Sequence, residues 1–289
     1  MSQAPRLFCF GLGFSAQALA SRLLAKGWRV AGTTRSASKA EELTAQGIEV
    51  HLFDRDRPLD DPGGALAETT HLLSSVPPDK TGDPVLDQHG EALRALAPDL
   101  TWAGYLSTTG VYGNRDGDWV DETSELHPTS ERSRRRVAAE QGWMALHETA
   151  GLPLHVFRLA GIYGPGRNPL ETVRQGKAKR IDKPDQVFSR IHVADIATTL
   201  LASIDRPSAG RVYNVCDDEP AVPADVTAYA CALLGVAPPP LVPLEDAGMS
   251  AMGRSFWNDN KRVDNTRLHR ELGVALAYPD YRTGLRALV

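Results

Sequence analysis

A chain of 289 residues can bury a sizeable core, and its length allows one large domain or a nucleotide-binding domain with a smaller second lobe. Its 32 Lys and Arg against 36 Asp and Glu leave a formal charge of −4, so no basic field is available to hold DNA or RNA, and nucleic acid is not expected as a partner. No apolar run is long enough to span a bilayer, and the segment from Met1 to Gly11 is too short and too weakly basic for a signal peptide; a soluble, cytoplasmic protein with no membrane partner is expected. Cys9, Cys216 and Cys231 are odd in number and far apart, which predicts reduced, buried thiols and no disulfide framework.

Arg6 to Phe10 reads as a short apolar strand, followed by a Gly turn and a helix in which Ala16, Leu19, Ala20, Leu23 and Leu24 recur at helical spacing. Lys26 and Gly27 end that helix. A strand at Trp28 to Thr34, a helix around Ser38 to Gln46, and strands at Ile48 to Phe53 and Thr70 to Val76 follow. A helix near Pro84 to Leu96, a strand at Trp102 to Ser107, a long helix from about Ser130 to Gly151 and a strand at Leu154 to Leu159 continue the alternation. This order predicts an α/β fold of Rossmann type, a doubly wound parallel sheet with right-handed crossovers and helices on both faces. Beyond Gly161 the regularity fades while Pro and Gly rise, although Arg211 to Val215 reads as one more core strand.

Gly11, Gly13 and Ala16 form G-x-G-x-x-A, with Phe14 and Ser15 in the gap, placed after the first strand and at the opening of the first helix. The first Gly permits a tight turn, and the second lets the backbone approach a pyrophosphate. The small third residue lets helix and strand pack closely, and the helix N-terminus favours negative charge. In this position the pattern predicts a dinucleotide site. About 20 residues further on, an NAD-binding chain carries an Asp or Glu for the ribose hydroxyls. Here the second strand ends in Thr33, Thr34, Arg35 and Ser36, with no carboxylate to repel a 2′-phosphate and with the charged fork of Arg35 to receive one. NADP is therefore expected in preference to NAD. Asp54 is a candidate for the adenine amino group, and Val76, Pro77, Leu159 and Ala160, at strand ends, are candidate cofactor contacts.

Five segments then carry a family likeness: the Gly turn, S-T-T-G-V-Y-G from Ser107, R-L-A-G-I-Y-G-P-G from Arg158, R-I-H-V-A-D from Arg190 and R-V-Y-N-V from Arg211. In this order they resemble the extended short-chain dehydrogenase/reductases, also called the NAD-dependent epimerase/dehydratase family. The resemblance implies a Rossmann domain with a small C-terminal substrate lobe. It places Thr108 where the family has a Ser or Thr that hydrogen-bonds the reacting oxygen. The family's main catalytic pair is Tyr-x-x-x-Lys on the following helix, the Lys lowering the phenol's pKa. Aligning that helix by Ala138-Ala139-Glu140-Gln141 puts Arg132 at the Tyr position and Arg136 at the Lys position, and no Tyr or Lys lies between Pro128 and Gly151. A guanidinium, with a pKa above about 12, is no ordinary acid or base at neutral pH. Arg136 can still bond the ribose hydroxyls. Together Arg132 and Arg136 read as a clamp for a carboxylate or phosphate, with a solvated Arg-rich helix end as the alternative.

Tyr112 is the nearest phenol in sequence to Thr108 and a candidate substitute acid, although the tyrosine of V-Y-G is usually structural in such proteins. Gly161 stands where sugar-nucleotide enzymes of the family commonly have a substrate-contacting Asn, so a UDP- or TDP-sugar is not implied. Arg167, Asn168, Arg190, Lys261 and Arg262 are candidate contacts for an anionic ligand. His192 and Asp195 fall in a segment that the family uses to tie its lobes together. No H-E-x-x-H, paired Cys at metal spacing, P-loop or G-x-S-x-G elbow is present, and no metal site is expected.

The expected organisation is residues 1–160 plus 191–220 as an NAD(P)-binding Rossmann domain and 161–190 plus 221–289 as a small substrate lobe. The expected function is that of an atypical NADP-dependent oxidoreductase or epimerase-like enzyme acting on a small anionic substrate through Thr108 and an unidentified proton donor. The rival is a non-catalytic NADP-binding sensor or scaffold. Monomer and homodimer are both open.

Overall fold

The computed structural model describes residues 4–289. Strand β1 (Arg6–Phe10) leads into α1 (Phe14–Ala25), β2 (Arg29–Thr34) into α2 (Ala37–Thr44), β3 (Glu49–Leu52) into α3 (Pro62–Leu66), and β4 (His71–Ser74) into α4 (Pro84–Leu96). After β5 (Trp102–Thr108) come a 3-10 turn, the two-residue β6 (Trp119–Val120), the long α5 (Glu131–Ala150) and β7 (Leu154–Leu159). The chain continues through β8 (Gly161–Tyr163), α6 (Pro169–Arg174), β9 (Arg180–Ile181), β10 (Arg190–His192), α7 (Val193–Asp205) and β11 (Arg211–Val215). It ends with α8 (Pro223–Leu233), β12 (Leu241–Val242), α9 (Ala251–Ser255), β13 (Arg262–Val263), α10 (Thr266–Leu272) and α11 (Tyr281–Arg286).

Seven strands form the central parallel sheet in the order β11-β7-β5-β4-β1-β2-β3. Phe8 on β1 lies level with Ala31 on β2 and Leu72 on β4. The strand order reverses on either side of β1, which is the place where open α/β sheets bind ligands. The expected α/β Rossmann fold is thus the observed one. Continuous apolar strands mark a sheet covered on both faces, and β1 is buried at every position. Local chemistry sets the helix ends. Gly27 takes a φ of 78° after α1, Ser36 caps α2, and Asp83 with Pro84 starts α4.

The chain divides into two compact units. The first holds residues up to Ser107, 134–158 and 197–213, and the second holds 108–133, 159–196 and 214–289. Residues 108–133, 159–160, 191–196 and 214–220 thus fall in the second unit, where the sequence division places them in the first. Strand periodicity locates the sheet and carries no information about which connecting loops pack together. The paired strands β6/β13, β8/β10 and β9/β12 were also missed, being only two or three residues long.

In the first unit a core including Phe8, Phe10, Tyr105, Trp143 and Val156 surrounds a polar tie. Arg158 on β7 donates from Nη2 to Glu140 Oε2 on α5 at 2.8 Å and from Nε to both carboxylate oxygens at 3.2 and 3.3 Å. Their side chains are 6% and 7% exposed. The Ser107 hydroxyl at the end of β5 donates to the same carboxylate. Three residues along α5, Trp143 donates from Nε1 to Asp83 Oδ2 at 3.0 Å, while Asp83 Oδ1 accepts from the N–H groups of Val85 and Leu86.

Elsewhere in this unit two histidines lie buried among aromatic rings. His71 sits 4.5 Å from Trp28, and His155 stacks on Trp102 at 5.8 Å. His155 Nε2 accepts from Ser208 N at 2.7 Å, so this ring is held neutral. Burial pushes both imidazoles down to about 4.

The second unit is built from short strand pairs and helices. One core gathers Tyr163, Leu170, Val226, Tyr281 and Leu285, and another Ile181, Ala247 and Trp257. All three cysteines are free and buried, as expected. Among the described residues no helix is long and apolar enough to cross a membrane.

Two outcomes follow. Glu140→Ala leaves the Arg158 charge buried without its carboxylate and is expected to cost roughly 3–5 kcal/mol in urea unfolding; a cost below about 1 kcal/mol contradicts the tie. Because the folded chain keeps His71 and His155 neutral while unfolded histidines titrate near 6.5, stability falls as pH drops from about 6.5, and their share of the loss is complete near pH 4. Each contributes at most about 3 kcal/mol. Unfolding midpoints measured across that range check it, and a flat profile counts against neutral burial.

Candidate functional site

The Gly turn is built in the first unit as the residues require. Gly11 has a φ of +85°, and its N–H donates to Thr33 Oγ1 at 2.8 Å while its carbonyl accepts from Ser75 Oγ. A Cβ at Gly11 would lie 3.1 Å from both Ser75 Oγ and Val76 Cγ2, so the close approach as well as the φ demands glycine. Val76, a candidate cofactor contact, therefore lies against the turn. Gly13 caps α1 without a side chain, and the first turn of α1, which holds Phe14, Ser15 and Ala16, carries no acid to repel a phosphate. Ala16 is fully buried, as close helix packing needs.

At the end of β2, Thr34 Oγ1 accepts from Ser36 N and Ser36 Oγ accepts from Lys39 N, both at 3.4 Å. Arg35 is exposed, and its guanidinium reaches no partner among the described residues. Its carbonyl accepts from Arg57 Nη2 at 3.0 Å, and the same nitrogen bonds Asp54 Oδ2 at 2.9 Å. Asp54, a candidate for adenine, is thus already half of an ion pair. Sequence reading missed Arg57; the i, i+3 spacing from Asp54 was the available signal.

On α5, Arg136 Nη1 donates to Tyr105 Oη at 3.0 Å and to the Leu106 carbonyl at 2.9 Å. The guanidinium is therefore engaged with β5. Arg132, exposed on the same helix, lies over the ring of Phe256 at 4.2 Å in a cation–π contact within the second unit. The two guanidiniums are held by different partners, and a joint clamp requires both to let go.

Several candidates in the second unit have partners within the protein. Tyr112 is fully buried, and its hydroxyl donates to Asn214 Oδ1 at 2.7 Å, so it corrects the expectation of a substitute acid. Asn168 caps α6 through Glu171 N and bonds the Gly164 carbonyl. Arg190 Nη1 donates to the carbonyls of Phe188 and Ala221 at 2.7 and 3.2 Å. Burial pushes its pKa below the usual arginine range. Lys261 Nζ donates to the Gly113 carbonyl at 2.9 Å and Arg262 to that of Gly117. These cations hold loops through backbone oxygens, so their spacing in sequence did not report a shared ligand. Arg167 is exposed, and its N–H closes a turn onto Gly164. Gly161 pairs with Arg190 across β8 and β10, and Ala160, next to Leu159, donates its N–H to the Val215 carbonyl. His192 packs on Tyr278 at 4.0 Å, and Asp195 accepts from the N–H groups of Ala277 and Tyr278.

Thr108 ends β5, and its Oγ1 accepts from Gly110 N at 3.2 Å. Ser133, overlooked in the sequence, is only 3% exposed on α5; its Oγ accepts from Ser130 Oγ at 2.9 Å.

Comparison with known proteins agrees with this geometry. Residues 91–216 match the NAD dependent epimerase/dehydratase family. Protein YeeZ of Escherichia coli (strain K12) is 29% identical over 280 residues, covering 93% of this chain and 95% of that protein. A solved structure of a functionally unknown conserved protein from Silicibacter pomeroyi DSS is 52% identical, with a TM-score of 0.92 over 99% of this chain and 98% of that one. UDP-glucuronic acid 4-epimerase from Bacillus cereus, solved with NAD, has a TM-score of 0.77 at 17% identity over 98% and 96% of the two chains, a likeness of fold. The Gly turn, the seven-stranded sheet and these matches together identify in this chain a domain of the NAD-dependent epimerase/dehydratase family, matched at residues 91–216.

Proposed function

We propose that the chain is a nicotinamide-dinucleotide-dependent oxidoreductase or epimerase-like enzyme acting on a small substrate with a reacting carbonyl or hydroxyl group. The observation that carries this reading is the Gly turn, with Gly11 forced to a φ of +85° against Ser75 and Val76 and Gly13 leaving the start of α1 open. These residues fit a pyrophosphate, and a dinucleotide held there supplies hydride transfer. Thr108, at the end of β5, is the chain's own group for the reacting oxygen. α5 carries neither Tyr nor Lys, so an acid or base other than the family's phenol is required. An anionic substrate is favoured by the positive charge of Arg132, which stands exposed on α5.

Within the cofactor class, two observations pull apart. The Bacillus cereus relative was solved with NAD. The end of β2 in this chain has no acid for the ribose hydroxyls and offers Arg35, which favours a 2′-phosphate. We read the second as the stronger, because it concerns this chain's own residues.

A titration with NADPH and with NADH, followed by nucleotide fluorescence and thermal stability, tests the reading. NADPH is expected to bind more tightly, and Arg35→Ala is expected to weaken NADPH by roughly tenfold or more while leaving NADH unchanged. Gly13→Val is expected to remove both. Failure of the unaltered chain to bind either nucleotide overturns the proposal, and tighter NADH binding moves the cofactor to NAD.

A further inference from the structure

The first unit brings a second guanidinium to the end of β2. Arg57, on the loop after β3, donates from Nη2 to the carbonyl of Arg35 at 3.0 Å and to Asp54 Oδ2 at 2.9 Å. A carbonyl oxygen lies about 2.4 Å from its own Cα, so Arg57 Nη2 stands within about 5.4 Å of the Arg35 Cα. The loop that carries Arg57 is fixed at both ends. Asp54 and Arg57 exchange backbone hydrogen bonds at 3.0 and 3.2 Å, and Asp54 Oδ1 accepts from the N–H of Asp56 at 3.1 Å.

This guanidinium is under-bonded as it stands. Nη2 uses its hydrogens on Arg35 and Asp54, whereas among the described residues Nη1 has no acceptor and Nε is shut off from water without one. The side chain is 42% exposed, so a ligand can reach it from solvent. Its surroundings favour an anion. Arg35 is exposed beside it, and the first turn of α2 carries Lys39 and no acid. Asp54 and Asp56 are the acids of the same loop, the first already paired with Arg57, and the neighbouring Arg55 is engaged with Asp79 and Asp87.

A phosphate on the adenosine 2′-oxygen brings about −1.5 to −2 charges and three acceptor oxygens, more than one guanidinium neutralises. We propose that Arg57 is a specificity-determining residue for this phosphate, sharing it with Arg35 and offering the donors of Nη1. The planar fork suits a phosphate, and two forks from separate loops fix it from two sides. Asp54 is then a positioning residue, which holds Arg57 against the end of β2 and leaves Nη1 free. The inference rests on the NADP reading above and adds to Arg35 a second group that tells NADP from NAD.

Calorimetric titration of the full chain with NADPH, NADH, adenosine 2′,5′-bisphosphate and AMP tests this without any turnover. Arg57→Gln is expected to weaken NADPH and the bisphosphate by roughly tenfold or more, with NADH and AMP unchanged. Arg57→Lys keeps the charge and loses the fork, and is expected to fall in between. Added salt is expected to weaken NADPH more in the unaltered chain than in Arg57→Gln. An unchanged ratio of NADPH to NADH affinity in both variants overturns the role of Arg57, and so does an equal weakening of both nucleotides, which marks a merely structural residue. No preference for NADPH in the unaltered chain overturns the NADP reading itself. A preference lost in Arg35→Ala and kept in Arg57→Gln overturns only the inference about Arg57.

Discussion

The ion pair of Glu140 with Arg158 is the constraint around which the first unit is organised. Two opposite charges removed from water recover their desolvation cost only when geometry is good and further bonds fill the remaining lone pairs. Here the guanidinium makes contacts at 2.8, 3.2 and 3.3 Å, and Ser107 supplies another donor to the carboxylate. A helix packed through apolar residues alone can slide or rotate slightly at little cost. One pinned by a buried charge cannot. Because Glu140 meets Ser107 on β5 and Arg158 on β7, the register of α5 against both strands is set. Helical periodicity does the rest. Ser133 lies seven residues before Glu140, two turns away on the same face, and Arg136 lies one turn away.

That register explains why a change of residue type has more than one consequence. A lysine reaches outward as a point charge, whereas a guanidinium offers a planar fork. Arg136 applies its fork to the Tyr105 hydroxyl and the Leu106 carbonyl, tightening α5 onto β5. The phenol of Tyr105 is buried and its pKa is pushed up, so it is a fixed partner and not an acid in waiting. At this helix position the guanidinium packs and hydrogen-bonds onto β5.

The sheet and the Gly turn were legible in the sequence because each rests on local physics: continuous apolar strands, helical spacing from Ala16 to Leu24, and glycines at the two positions where a side chain obstructs. The second unit was legible only in part. Charge and spacing drew attention to Arg190, Lys261 and Arg262, but a sequence does not say whether a cation points at a ligand or at a backbone carbonyl, and all three were found on carbonyls. Tyr112 stood beside Thr108 in sequence, yet a 3-10 turn carries its ring into the core. Arg57, in the first unit, was hidden for the opposite reason. It is one of four charges in a row from Asp54, and only the turn that lays its guanidinium on the Arg35 carbonyl reveals what it borders.

The burial of the three cysteines has a practical side. Cys9 and Cys216 have thiols raised by burial, and Cys231 is enclosed as well, so the folded chain presents almost no thiolate to an alkylating reagent. A single cysteine introduced at an exposed position therefore becomes the one reactive handle on the native protein. Fluorophores or spin labels can be attached there without first stripping out the natural thiols, and the slow labelling of the original three becomes a clock for opening of the core.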